Sequence, residues 1–121
     1  MKVKEIMRVL GETILPETTV EAAIARMRSL GIPSLPVVDG EGSFRGMATE
    51  ADLTRLLGEG KATASDPVHS YLRGSIVTAT PEMNAARLAE MMRDRALRHI
   101  LVVEARHLVG EVSLEEIPAG G

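Results

Sequence analysis

The 121-residue chain contains no cysteine and no tryptophan, and its aromatic content is limited to Phe44 and Tyr71. Without a thiol there is no disulfide framework, no thiolate zinc site and no cysteine nucleophile, which suits a reducing compartment. Two aromatics cannot build a stacking platform for single-stranded nucleic acid. The formal charge of −3 also lacks the basic surplus that a phosphate backbone attracts. No apolar run approaches membrane-spanning length, and the N-terminus lacks the apolar centre of a signal peptide. These absences lead to the expectation of a cytoplasmic protein with neither nucleic acid nor membrane as partner. The core must be assembled from Val, Ile, Leu, Met and Ala, with seven methionines as adaptable filler.

What the chain does have is itself, twice. Val3-Lys4-Glu5-Ile6-Met7 returns as Val68-His69-Ser70-Tyr71-Leu72, with the same spacing of apolar positions. Thr13, Pro16 and Glu17 return as Thr78, Pro81 and Glu82, Met27-Arg28 as Met92-Arg93, and Val37-Val38 as Val102-Val103, all at an offset of 65. Gly46 and Gly110 are 64 apart, so the second copy is one residue shorter in a turn before that point. Chance similarity does not hold one register through so many positions. The copies divide the chain into 1–60 and 61–121, with the stretch from Gly58 to Pro67 between them reading as a flexible linker.

Each copy predicts the same order of elements. A short apolar strand (Thr13-Ile14-Leu15; Ile76 to Ala79) stops at a proline. A helix follows, with Val20, Ala23, Ile24, Met27 and Leu30 at helical spacing behind Thr18-Thr19, and Ala85, Leu88, Ala89 and Met92 behind Asn84. Next comes a hairpin, Ser34 to Val38 with Phe44 to Ala48, and His99 to Val103 with His107 to Val112. A last helix is expected to begin at Thr49 and at Ser113. The fold class is α+β, two β-α-β-β-α repeats. Copies of this size are marginal alone, so their apolar faces are expected to pack together.

The runs Leu30 to Asp39 and Gly46 to Leu53, with Leu97 to Glu104 and Gly110 to Ile117 in the second copy, resemble a tandem pair of cystathionine β-synthase (CBS) domains, a Bateman module, across essentially the whole chain. The resemblance implies repeats related by a pseudo-two-fold axis, with clefts between them. Such clefts take AMP, ADP, ATP, S-adenosylmethionine or NADH as regulatory ligand. It also implies a homodimer that regulates an enzyme or transporter in trans, since the chain itself leaves no room for one. With so few aromatics, an adenine here would lie between aliphatic side chains.

The resemblance places a ribose contact on Thr49 and Asp52 of Thr49-Glu50-Ala51-Asp52, because a carboxylate accepts from both ribose hydroxyls. The same four residues also read as a capping box, and Thr49 can serve both roles. The implied site comprises Met47, Thr49, Ala51 and Asp52, with Leu97, Arg98 and His99 from the second copy and backbone near Ile76. Arg98 and His99 would face ligand phosphates, or else be an ordinary surface charge and a strand-end histidine. A second, weaker cleft would use Pro33, Ser34, Ser113 and Glu116. There Glu116 stands where the family has Asp, and the extra methylene makes it a better capping partner than ribose ligand. Gly40-Glu41-Gly42 bridges two strands and reads as a hairpin turn. The three histidines show no metal spacing, and neither a P-loop nor a Ser-His-Asp grouping stands out. The expectation is a ligand-binding module rather than an enzyme, the alternative being a ligand-free dimerisation or interaction module with vestigial clefts.

Overall fold

A computed structural model describes residues 1–74 and 76–119. The chain forms two compact units, one continuous (Glu12–Ile76) and one split (Met1–Gly11 with Val77–Gly121). It is mixed α+β, as the pattern of elements requires.

In the continuous unit, helix α1 (Val20–Leu30) starts at Thr19, whose side-chain oxygen accepts from the Ala22 N–H at 3.2 Å. Val20, Ala23, Ile24 and Met27 form its buried stripe. Strands β1 (Ser34–Val38) and β2 (Phe44–Thr49) pair antiparallel, and helix α2 (Glu50–Gly58) comes directly after β2 without a loop. Asp39 holds the hairpin turn by accepting from the Glu41 and Ser43 N–H groups, and this holds its carboxyl below the ordinary range. The predicted strand at residues 13–15 shrinks to one parallel bridge between Ile14 and Val37. Pro16 is too close behind for a longer ladder to form.

The split unit repeats the plan. Asn84 caps helix α3 (Ala85–Asp94), and β3 (Thr78–Ala79), β4 (His99–Glu104) and β5 (His107–Ser113) form one sheet in that order. Both hairpins carry a bulge at the equivalent place, Val37/Val38 and Val102/Val103. The missing residue lies in the second turn. Glu104 faces His107 across a two-residue loop, Ala105 and Arg106, both with positive φ. The helix expected at Ser113 is only a 3₁₀ turn, Leu114–Glu116. Ile117 already has extended backbone, as a residue before proline prefers.

The units do not coincide with the sequence copies. Val3, from the start of the first copy, is fully buried among Leu88, Met92, Val102 and Val112, with its N–H on the Met83 carbonyl at 2.8 Å. Val68, from the start of the second copy, is fully buried among Val20, Met27, Leu35 and Leu53, with its N–H on the Thr18 carbonyl at 2.8 Å. Each copy's leading turn thus completes the core of the other copy's helix and hairpin.

The same segments then lie along the hairpin edge. Arg73 exchanges two backbone hydrogen bonds with Met47 (2.9 and 3.0 Å), and Arg8 exchanges two with Glu111 (2.8 and 3.0 Å). The glycine before each partner permits this approach. A Cβ on Gly46 or Gly110 would come within 2.8 Å of the Arg73 or Arg8 carbonyl oxygen, and Gly46 also has φ of +137°. We expect Gly46→Ala to lose about 1–3 kcal/mol in urea unfolding. Gly11→Ala, where a Cβ meets nothing within 4 Å, should change stability by less than about 0.5 kcal/mol.

Candidate functional site

The end of β2 and the start of α2 shape a recess on the continuous unit. Thr49 is the last strand residue and the N-cap of α2, its Oγ1 accepting from the Asp52 N–H at 3.2 Å. Across the hairpin Thr49 pairs with Ser34, and the Glu50 N–H donates to the Pro33 carbonyl at 2.9 Å. Pro33, Ser34, Thr49, Glu50, Ala51 and Arg73 line a recess of about 510 Å³. That lies within the range of small-molecule sites.

Asp52 stands one residue beyond this lining, with its carboxylate gripped by Arg73. The guanidinium Nε donates to Oδ2 at 2.6 Å and Nη2 to Oδ1 at 3.0 Å, a two-pronged fork that engages both oxygens. Arg55 adds a second positive charge, 3.8 Å from Oδ1. The Arg73 bonds, with that of Thr49, lower the Asp52 pKa from 3.8 to about 2. Its side chain is 17 % exposed against 64 % for Arg73, so the acid is fixed and the base reaches in from solvent. Glu50, the other acid at the recess, is engaged by Arg28 at 2.9 Å.

Of the residues predicted from the sequence, Thr49 and Ala51 line the recess, Asp52 adjoins it, and Met47 holds Arg73 through its backbone. Ile76 belongs to the same unit and is half-buried. Pro33 and Ser34, assigned from the sequence to the weaker cleft, line this same recess, because Ser34 is the hairpin partner of Thr49.

Leu97, Arg98, His99, Ser113 and Glu116 belong to the split unit. Leu97 packs against its core, and His99 pairs with Ser113 across β4 and β5. Arg98 is an exposed partner of Glu115 at 3.2 Å, with its carbonyl accepting from the Leu114 N–H. The capping role expected of Glu116 is not what forms. Ser113 caps nothing through its side chain, and Glu116 pairs with Arg8 at 3.0 Å, since one 3₁₀ turn offers no helix to cap. Among the described residues no group of three or more His, Cys, Asp or Glu could hold a metal ion, and no helix is long and apolar enough to cross a membrane.

Sequence reasoning missed Arg73 and Arg8. They are 65 residues apart, each directly after a matched leading segment, so extending that register by one residue would have found them. Asp52 and Glu116 are also equivalent, so each unit presents the same arginine-to-acid pair.

The low Asp52 pKa fixes a direction with pH. A carboxyl whose folded pKa lies below its unfolded value stabilises the fold above the unfolded pKa. That contribution is lost as pH falls through 3.8 toward about 2. In Arg73→Ala the Asp52 carboxyl resonance should titrate nearer 3.8, and stability should fall less between those values than in the parent protein.

Comparison with known proteins agrees with this architecture. The CBS domain model matches residues 3–59 and 68–117. The CBS domain-containing protein YhcV of Bacillus subtilis is 27% identical over 116 residues, covering 95% of this chain and 81% of its own. Two further curated relatives are longer, the chain spanning 21% of one and 52% of the other. Among solved structures, CBSX2 in complex with AMP has a TM-score of 0.78 at 22% identity, covering 96% of this chain and 92% of its own. The CBS domain pair of protein MJ0100, in complex with 5'-methylthioadenosine and S-adenosyl-L-methionine, has a TM-score of 0.70 at 24% identity, covering 97% and 96%. Two matched repeats, and a structure built from two units of one plan, make this chain a member of the CBS domain family.

Proposed function

We propose that the chain is a regulatory module whose continuous unit binds an adenosine-containing ligand at the recess beside Thr49 and Asp52. The observation that carries this reading is Asp52 itself. It is an ionised carboxylate in the Thr-x-x-Asp position, set next to a recess of nucleotide-compatible size. A ribose offers two adjacent hydroxyl donors, and an ionised carboxylate offers two acceptor oxygens. Met47 and Ile76 are the aliphatic neighbours proposed for the adenine, with Ala51 small enough to leave room. The AMP bound by CBSX2 and the 5'-methylthioadenosine and S-adenosyl-L-methionine bound by MJ0100 support the ligand class.

AMP, ADP, ATP, S-adenosylmethionine and NADH are the ligands to test. Regulation rather than catalysis is proposed, through a homodimer acting on an enzyme or transporter in trans in the cytoplasm. The family resemblance supports these further points.

The test is thermal unfolding of the purified chain with each ligand, alongside Asp52→Ala. A ligand present at a hundred times its dissociation constant stabilises by about 2.7 kcal/mol. For a domain of this size that raises Tm by about ten degrees. We expect such a shift with at least one adenosine compound, its loss in Asp52→Ala, and no turnover of AMP or ATP. A folded protein unmoved by every compound overturns the reading in favour of a ligand-free interaction module.

A further inference from the structure

The fork between Arg73 and Asp52 occupies both carboxylate oxygens that a ribose would use. Arg73 reaches this position from an anchored backbone. Its backbone is fixed to Met47 by two hydrogen bonds, its side chain is 64 % exposed, and the residue lines the recess. The arrangement recurs in the split unit, where Arg8 is fixed to Glu111 and pairs with Glu116. There the acid is longer by a methylene, yet the pair still forms. A chance surface contact would not be expected at the same register in both copies.

We propose that Arg73 is a specificity residue of the adenosine site, exchanging Asp52 for the ligand's phosphate on binding. This rests on the proposed adenosine-binding function, and it adds which adenosine compounds the site prefers. A ribose that approaches the Asp52 oxygens from the side held by Arg73 takes the lone pairs that the fork uses and displaces the guanidinium. With a neutral nucleoside the displaced charge gains nothing in return, so the broken fork opposes binding. With a nucleotide the same planar fork meets phosphate oxygens, the other partner to which it is matched. Glu50 does not compete for Arg73, being held by Arg28, and Arg55 is drawn toward Glu59 at 3.1 Å. The recess therefore selects for a 5'-phosphate, with Arg73 setting the selection.

Calorimetric titration of AMP and of adenosine into the parent chain, Arg73→Ala and Arg73→Gln tests this. Folding of each variant is checked by urea unfolding. The Arg73 backbone bonds to Met47 remain in both variants, and Gln keeps length and polarity without charge. The parent should bind AMP more tightly than adenosine. Either variant should lose about tenfold or more in AMP affinity, the scale of a charged hydrogen bond, while adenosine affinity rises because no fork has to be broken at Asp52. Equal changes for both ligands, or no change in either, would overturn the proposal while leaving the function intact. A parent chain that binds neither AMP nor adenosine, but responds to S-adenosylmethionine, which carries no phosphate, overturns it too. Where ADP, ATP or NADH is the responder, it takes the place of AMP in the same titration with the same outcomes. A parent chain that responds to none of the five removes the function reading, and this inference falls with it.

Discussion

Two glycines, Gly46 and Gly110, let a foreign segment of backbone lie against a hairpin where any side chain would block it. That close approach organises most of the fold. It docks residue 73 beside Met47 and residue 8 beside Glu111, after the preceding turns have buried Val68 and Val3 in the cores. Either unit without its docked segment would lose a fully buried valine and an edge of backbone pairing. The docking also determines the chemistry of the recess, because it places an arginine within reach of the acid in the first turn of α2.

The ion pair at that point is unlike many of the chain's other pairs. Lys2 and Lys4 with Glu82, Arg26 with Glu12, and Arg98 with Glu115 join side chains that are all more than 40 % exposed, and such pairs contribute little. Asp52 is the sheltered partner in its pair, satisfied on both oxygens and backed by the Thr49 hydroxyl. Thr49 is thus at once the end of a strand, the cap of a helix and part of the recess wall. The two readings of Thr49 to Asp52, as cap and as site, describe one geometry. A helix start needs an oxygen aimed at its free N–H groups, and the same arrangement brings the carboxylate to the rim.

The duplicated plan carries different detail in its two copies. Asp52 belongs to a nine-residue helix, whereas Glu116 lies on a single turn ended by the extended residue before Pro118. The uncharged Pro33-Ser34 of one copy corresponds to Arg98-His99 in the other. Local stops and single charges account for these differences, while the register of the core valines is the same in both.

Much of this was legible in the amino-acid sequence by itself. The offset of 65 residues defined the two copies, and the helical spacing of Val20, Ala23, Ile24 and Met27 defined a buried face. The one-residue deficit of the second turn was readable from Gly46 and Gly110, and Thr49 to Asp52 stood out as cap and candidate site. These properties depend on neighbours within a few residues, or on comparing one copy with the other. Tertiary structure alone decided that each leading turn crosses into the other copy's core, that Ser34 and Thr49 share one recess wall, and that Arg73 closes on Asp52. The reason is distance along the chain. Arg73 and Asp52 are 21 residues apart, and nothing in local propensity relates them until a glycine allows two backbones to meet.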